Sequence, residues 1–350
     1  MANHPRQSYH RAEVLLLLAI IMAMAVTSAD AADSPSSAIA PSAVRLDHAD
    51  AGDQDDLCFW HDADEPARSL VITSDKKANL IAVYDMQGRL LQLANVPKPG
   101  NIDIRQDVDC DGTLRDLIVV NQRTDGWKLA LFEVNRKDRK LVRLDNGELK
   151  TGPNYGVCWY HNAKQKSLYA VVTSEEGTLE QYQVTVNAKR QPSIGKVRSW
   201  ELGKCEGAVA DDGVGKLYIS VEKQGVWELG AEPDQPTPGK LVIRLGEDGL
   251  KPDLEGITLL KQTEQTGYLL LSSQGQNQFF VYDRAGNHPF LGTFKIQGAE
   301  DTDGIDVLAK PLGDQFPQGA FGCHTAATKR CSVILTPWES IAKELKLPAK

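Results

Sequence analysis

Acidic residues recur at the head of β-rich segments along this chain, and together they could build one site. They are Asp55 and Asp56 in DDLCFW, Asp103 in NIDIR, Glu206 in CEGAVADD, Asp253 and Glu255 in DLEGITLL, and Asp301 and Asp303 in DTDGIDVL. Carboxylates brought together must bind cations or take up protons, because repulsion between desolvated like charges is costly. Oxygen ligands without His or Cys beside them suit Ca²⁺ or Mg²⁺ and not zinc. Taken singly, each Asp reads equally well as a turn former that caps a strand and faces water; recurrence in register favours a site. Lys76 and Lys77 in TSDKKAN, Arg123 in VNQRTDG and Tyr155 in YGVCWY stand at comparable places. A face holding both cation ligands and Lys/Arg meets the needs of a polyanionic phosphate, since the cations neutralise charge and Arg donates in pairs.

The elements that must position these groups repeat. Six leading segments begin at Asp55, Asn101, Tyr155, Cys205, Asp253 and Asp301, so successive starts differ by 46, 54, 50, 48 and 48 residues. Each leads into runs such as SLVITSDKKANLIAVYD, SLYAVVTSEEGTLEQYQV and GYLLLSSQGQNQFFVYDR, which alternate apolar and polar residues between Gly, Asn and Asp. That is the pattern of short strands joined by hairpins. Units of about 50 residues with three or four strands are propeller blades. The spacing therefore predicts an all-β, six-bladed β-propeller over residues 43–346. Its sixth unit lacks a strand, which AVRLD (Ala43–Asp47) supplies from the N-terminus to close the ring. Helical periodicity is expected only near Glu339 to Leu345, outside the N-terminal apolar run.

Composition narrows the function classes. The 350 residues carry 39 Lys+Arg against 47 Asp+Glu, a formal charge of −8, and 41 % are hydrophobic. An acidic chain without a basic block is a poor nucleic-acid binder, because that affinity comes from phosphate neutralisation. Arg6 and Arg11 precede an apolar run from Val14 to Val26, and Ala29-Asp30-Ala31 follows with small residues where a signal peptidase reads. The run is too short for a spanning helix. Residues 1–31 are thus expected to be a cleaved signal peptide and residues 32–42 a linker. The mature protein is expected to be secreted or periplasmic, monomeric and free of the membrane.

Six cysteines follow: Cys58, Cys110, Cys158, Cys205, Cys323 and Cys331. In an oxidising compartment an even number favours disulfides, and Cys323–Cys331, close in sequence, is the expected pair. No Cys-x-x-Cys occurs, which argues against a structural zinc site of that kind. Asp107-x-Asp109-x-Asp111-Gly112 opens like a calcium loop. Ile118 stands where an EF-hand needs its bidentate Glu, so the segment is a calcium turn or an acidic hairpin. His324 in GCHTAA is read as a packed structural residue.

The segments DDLCFW, TSDKKANLIAVYD, PGNIDIR, NYGVCWYH, TSEEGTLEQY, CEGAVADDGVGKLYI, DLEGIT, GYLLLSSQG, DTDGIDVL and PWESIA, in this order across residues 48–342, resemble the β-propeller phytase family. The resemblance implies a six-bladed propeller that hydrolyses phytate, myo-inositol hexakisphosphate, with several bound Ca²⁺ ions and water as nucleophile. By matching motif it implies Asp55, Asp56, Glu206, Asp253, Glu255, Gln274 and Asp301 as Ca²⁺ ligands or water-positioning groups, with Glu222 among the active residues. The carbonyls of Leu57 and Ile102 would join Asp56 at a structural ion. Lys76, Arg123 and Tyr155 would contact substrate phosphates, supported by Glu176. The chain departs from the family at Leu57-Cys58, at Glu175 where a lysine is usual, at Val221 where an acid is usual, and in GCHTAATKRCS, which replaces an acidic segment. A Ca²⁺-dependent lactonase or esterase on a similar ring, and a non-catalytic ligand-binding propeller, are the competing functions.

Overall fold

The protein is described by a computed structural model covering residues 38–124 and 126–348. The expected signal peptide lies outside the described residues. Six antiparallel sheets follow one another along the chain. The first comprises Gln54–Trp60, Leu70–Asp75, Leu80–Asp85 and Leu90–Asn95. The innermost strands of the next five are Pro99–Cys110, Gly156–Asn162, Cys205–Asp211, Leu254–Lys261 and Ile305–Leu308. Each innermost strand packs on the next, and the sixth packs on the first. The fold is a six-bladed β-propeller, and the leading segments of the repeat are its inner strands.

Packing explains why the strands look as they do in sequence. Blades are sandwiched between neighbours, so middle strands such as LVITSD and LIAVYD are buried along their whole length instead of on alternate residues. Six apolar clusters lie between consecutive blades. Trp60, Ile72, Ile118 and Phe132 join blades one and two, for example, and Leu46, Leu57, Tyr84 and Leu335 join blades six and one. The indole of Trp60 also donates across the first junction to Asp116 at 2.7 Å.

Closure is made by the N-terminal segment. Val44–Leu46 pairs antiparallel with Val333–Leu335 as the outermost strand of blade six, within the segment where the sequence places it. Ala38–Ala40, assigned to a linker from its composition, forms a further strand, parallel to Phe294–Ile296 on the edge of blade five. Its Ala40 side is fully buried while Ile39 is 64 % exposed. One α-helix, Trp338–Glu344, follows the last strand and packs Trp338 and Ile341 into the core between blades five and six. Among the described residues no helix is long and apolar enough to cross a membrane.

The cysteines depart from expectation: no disulfide forms among the described residues, and all six thiols are free. Successive side chains of a strand point to opposite faces. Cys323 faces the core beside Phe321, Ile305 and Ile334, whereas its neighbour His324 faces Cys331. The two thiols of the expected pair are on different sides of the sheet. The Asp-rich segment of blade two is an acidic hairpin. Cys110 pairs with Thr113 across Asp111-Gly112, both in the left-handed region, as a tight two-residue turn requires. Asp107 and Asp109 turn to separate partners, Arg136 and Lys166.

Ring closure sets the stability of the whole. Leu46→Ala removes a fully buried side chain from the closing junction and should destabilise the protein by about 2–5 kcal/mol. Ile39→Ala, on an exposed edge, should change it by no more than about 0.5 kcal/mol. Urea unfolding of the two variants measures the contrast, and equal midpoints would show that Val44–Leu46 does not close the ring.

Candidate active site

The innermost strands meet at one mouth of the channel, and four of them break register there. The irregularities fall between Gln54 and Asp56, Pro99 and Ile102, Cys205 and Ala208, and Leu254 and Ile257. A bulge re-aims the side chain it contains, here Asp55, Asn101, Glu206 and Glu255. Glycine follows two of these acids because neighbouring strands almost touch. A Cβ on Gly207 would lie 2.1 Å from the carbonyl oxygen of Glu255, and one on Gly256 would lie 2.6 Å from that of Asp303. Each acid is thereby pressed against the acid of the next blade.

Glu206, Glu255 and Asp303 result as a cluster whose carboxylate oxygens lie within 4.8 Å of one another. Two cations face it. Arg123 donates to Glu206, to Asp55 at 3.3 Å and to the Asn101 amide oxygen at 3.4 Å, and its guanidinium lies 4.3 Å from the centre of the Tyr155 ring. Lys76 bonds Asp55 and stands 3.7 Å from both Asp53 and Asp303. A third cation, Lys204, sits 5.3 Å from the Tyr155 ring centre and pairs with buried Glu222 at 2.8 Å.

Charge in this cluster is under strong tension. Burial, reinforced by Glu206 and Asp303, pushes the Glu255 carboxyl up to about 10. Burial also raises Asp303 well above the usual range, aided by Asp55 and Glu206, and it raises Glu206 despite Arg123. Asp55 is the exception. Burial opposes its ionisation most strongly, yet Arg123 and Lys76 outweigh burial and hold it below its ordinary value. For Lys76 burial again acts first, to weaken the charge, but Asp55 and Asp303 prevail and raise it. The Oε2 atom of Glu255 is buried without a hydrogen-bond partner. An all-oxygen cluster with an unpartnered carboxylate oxygen fits a hard divalent cation, whose two charges would offset two of the three acids while Arg123 faces Glu206.

Several expected site residues lie elsewhere. Asp56 is buried below the cluster, where its carboxylate accepts the Ile102 amide at 3.1 Å and lines one small cavity with Leu57 and Ile102. Asp103 points away from the three-acid cluster. It accepts the Trp159 amide at 2.7 Å and pairs with Arg105, which reaches Asp212 at 2.6 Å, so it stitches blades two, three and four. Asp253 is exposed, and its carbonyl takes the amide of half-buried Gln274. Asp301 is exposed on a left-handed residue, and Asp303 is the acid of blade six that enters the cluster. Glu176 is exposed in a turn before Gly177. The residues implied by the family motifs omit Asp303, Asn101 and Lys204, although Asp303 is among the acids that recur along the repeat. Aligning the repeats on Glu206-Gly207 and Glu255-Gly256 singles out Asp303-Gly304, because the acid preceding glycine is the one that points inward.

The raised carboxyls make stability depend on pH. Glu255 binds its proton in the folded state up to about pH 10 but releases it near 4.5 when unfolded. The stability linked to that proton is complete below about pH 4.5 and is lost as pH rises towards 10. In chelator, the unfolding midpoint should therefore fall between pH 5 and pH 9 more steeply in the wild type than in Glu255→Gln. Parallel profiles would show that Glu255 is ionised throughout.

Known proteins agree with this architecture. The sequence profile of the phytase family matches residues 8–344. A 3-phytase of Bacillus subtilis (strain 168) is 34 % identical over 309 residues, covering 83 % of this chain and 81 % of that protein. Among solved structures, regucalcin, a calcium-binding protein from Agrobacterium tumefaciens strain C58, superposes with a TM-score of 0.50 at 12 % identity. That match covers 86 % of this chain and 97 % of that one and bears on the fold alone. With the profile spanning almost the whole propeller, this chain belongs to the phytase family of phosphoric monoester hydrolases.

Proposed function

We propose that the protein is an exported, Ca²⁺-dependent phosphatase that hydrolyses phytate at the acidic mouth of its propeller. The observation that carries this reading is the juxtaposition of Arg123 and Lys76 with the Glu206–Glu255–Asp303 cluster. Cationic donors for phosphate and oxygen ligands for a divalent ion occupy one face, which a lactone or neutral ester does not require. Membership of the phytase family and the likeness to a 3-phytase support the substrate.

Glu206, Glu255 and Asp303 would hold Ca²⁺, with Asp55 beside them. Bound there, the ion supplies positive charge to the phosphoryl oxygens and acidifies water. Arg123 is preset for a phosphate: Tyr155 supports its guanidinium, and the carboxylates it now meets are anionic groups that a phosphate or a metal-bound arrangement would replace. Lys76 offers a second positive charge from the opposite side of Asp55. Water attacks phosphorus and the bond to the inositol oxygen breaks. Phosphoryl transfer of this kind needs charge neutralisation and alignment more than covalent help. Below the mouth the channel narrows to a cavity of about 40 Å³ lined by Asp56, Asn101 and Asp306. A hexakisphosphate would therefore rest on the rim, where Lys204 can meet a second phosphate. Lys204 would supply the cation that Glu175 lacks.

Phosphate release from phytate tests the proposal. Activity should vanish in EGTA and return with Ca²⁺. Arg123→Ala should reduce turnover by about 100-fold or more, the scale for a lost transition-state donor, and Arg123→Lys should recover part of it. Glu206→Gln should also lose activity but regain some at high Ca²⁺. Arg123→Ala folded as the wild type and fully active would overturn the assignment of this face. Export is tested by N-terminal sequencing of protein recovered outside the cytoplasm, which should begin near Ala32.

A further inference from the structure

Where the two ends of the propeller meet, a second group of ligating side chains stands beside the acidic rim. Asp53 precedes the first strand of blade one, His324 lies in Ala320–Thr325 of blade six, and Cys331 immediately precedes the next strand, Ser332–Pro337. A carboxylate oxygen, an imidazole nitrogen and the thiol sulfur of these residues lie within 4.8 Å of one another. The backbone holds them there. Asp53 and Cys331 form a parallel bridge, and the His324 amide donates to the Gly304 carbonyl at 2.9 Å.

His324 is the informative member. Its side chain is almost wholly buried, and neither ring nitrogen has a hydrogen-bond partner. The nearest acidic oxygen, on Asp53, stands at 3.7 Å, beyond hydrogen-bond range. A buried imidazole left unpaired is costly, and this one is aimed at a carboxylate and a thiol. The ligand atoms of one tetrahedral zinc ion stand about 3.5 Å apart, given bonds of about 2.0–2.3 Å. Small side-chain rotations would bring the three onto a common centre. Asp53 and Cys331 are only partly buried, which leaves a fourth position for water.

We infer that Asp53, His324 and Cys331 form a site for a borderline-soft divalent ion of the zinc type, separate in ligand chemistry from the all-oxygen cluster. Thiolate and imidazole favour such an ion over Ca²⁺. The ion would staple the start of blade one to the last hairpin of blade six. Binding displaces the thiol proton and any imidazole proton to solvent, so it strengthens as pH rises. The inference does not depend on the phosphatase reading.

The test uses Co²⁺ as a spectroscopic probe on reduced, Ca²⁺-saturated full-length protein. One equivalent should produce a thiolate-to-cobalt charge-transfer band, and Zn²⁺ should abolish it by displacement. Cys331→Ser should lose the band, whereas Cys110→Ser should keep it. His324→Gln should weaken binding by more than about 100-fold, above the loss expected for an outer-shell partner. In the wild-type protein, Zn²⁺ should also protect Cys331 from alkylation, read by peptide mapping, which does not depend on any variant folding. Absence of a thiolate band in the wild type, its survival in Cys331→Ser, unchanged affinity in His324→Gln, or unprotected Cys331 would each overturn the site. Phytate hydrolysis is read separately, and its absence would leave these signals unchanged.

Discussion

Mutual repulsion among Glu206, Glu255 and Asp303 is the constraint around which the mouth of this propeller is organised. Three carboxylates so close together, two buried and that of Asp303 half-buried, cannot all be ionised without compensation. The cations are arranged accordingly: Arg123 spans Glu206 and Asp55, and Lys76 lies between Asp55 and Asp303. Asp55 is thus the hinge between the two cations, and it is the rim acid that they keep ionised. A site that stores repulsion in this way has a built-in appetite for positive charge and discriminates by charge density before it discriminates by shape.

The backbone holds that repulsion in place. Bulges turn the acids inward, and glycines next to them let adjacent inner strands approach until carbonyl oxygens would collide with any side chain. Apolar clusters on every blade junction supply the cohesion that the polar centre lacks. Energetic roles are divided by radius: the rim repels, the interblade layers attract, and the hydrogen-bonded ladders keep spacing between them.

Much of this was legible in the residues. A period of about 50 with β-rich runs specifies six blades, and the pairing of Val44–Leu46 with the last sheet follows from counting strands. Asp55, Glu206, Glu255, Arg123 and Lys76 are found together as their positions in the repeat predict. What was not legible depends on side-chain direction. Asp301 and Asp303 differ in sequence only by the glycine after Asp303, and the side-chain direction that separates them comes from the left-handed backbone at Asp301, which sends it to solvent. Cys323 and Cys331 are close along the chain but lie on opposite faces of a sheet. Asp103 has the spacing of a rim acid and is drawn off by Arg105, a partner only two residues away. Ala38–Ala40 has the composition of a linker, and its strand exists because the edge of blade five was available to pair.

Blade six has a consequence for how the protein is made. Its outermost strand comes from the beginning of the chain and the rest from the end, with Arg45 and Ser332 bonded across 287 residues. During synthesis the early strand must wait until almost everything else has emerged. Five blades can assemble in order of appearance, but the seam forms last and across the longest loop, which makes closure the slowest contact to find by topology alone. Until then, the junction faces of blades one and six both expose apolar surface. A ring completed by its own first strand therefore ties maturity to completeness: a chain cut short at its C-terminus leaves Val44–Leu46 without a partner and the acidic mouth without its sixth wall.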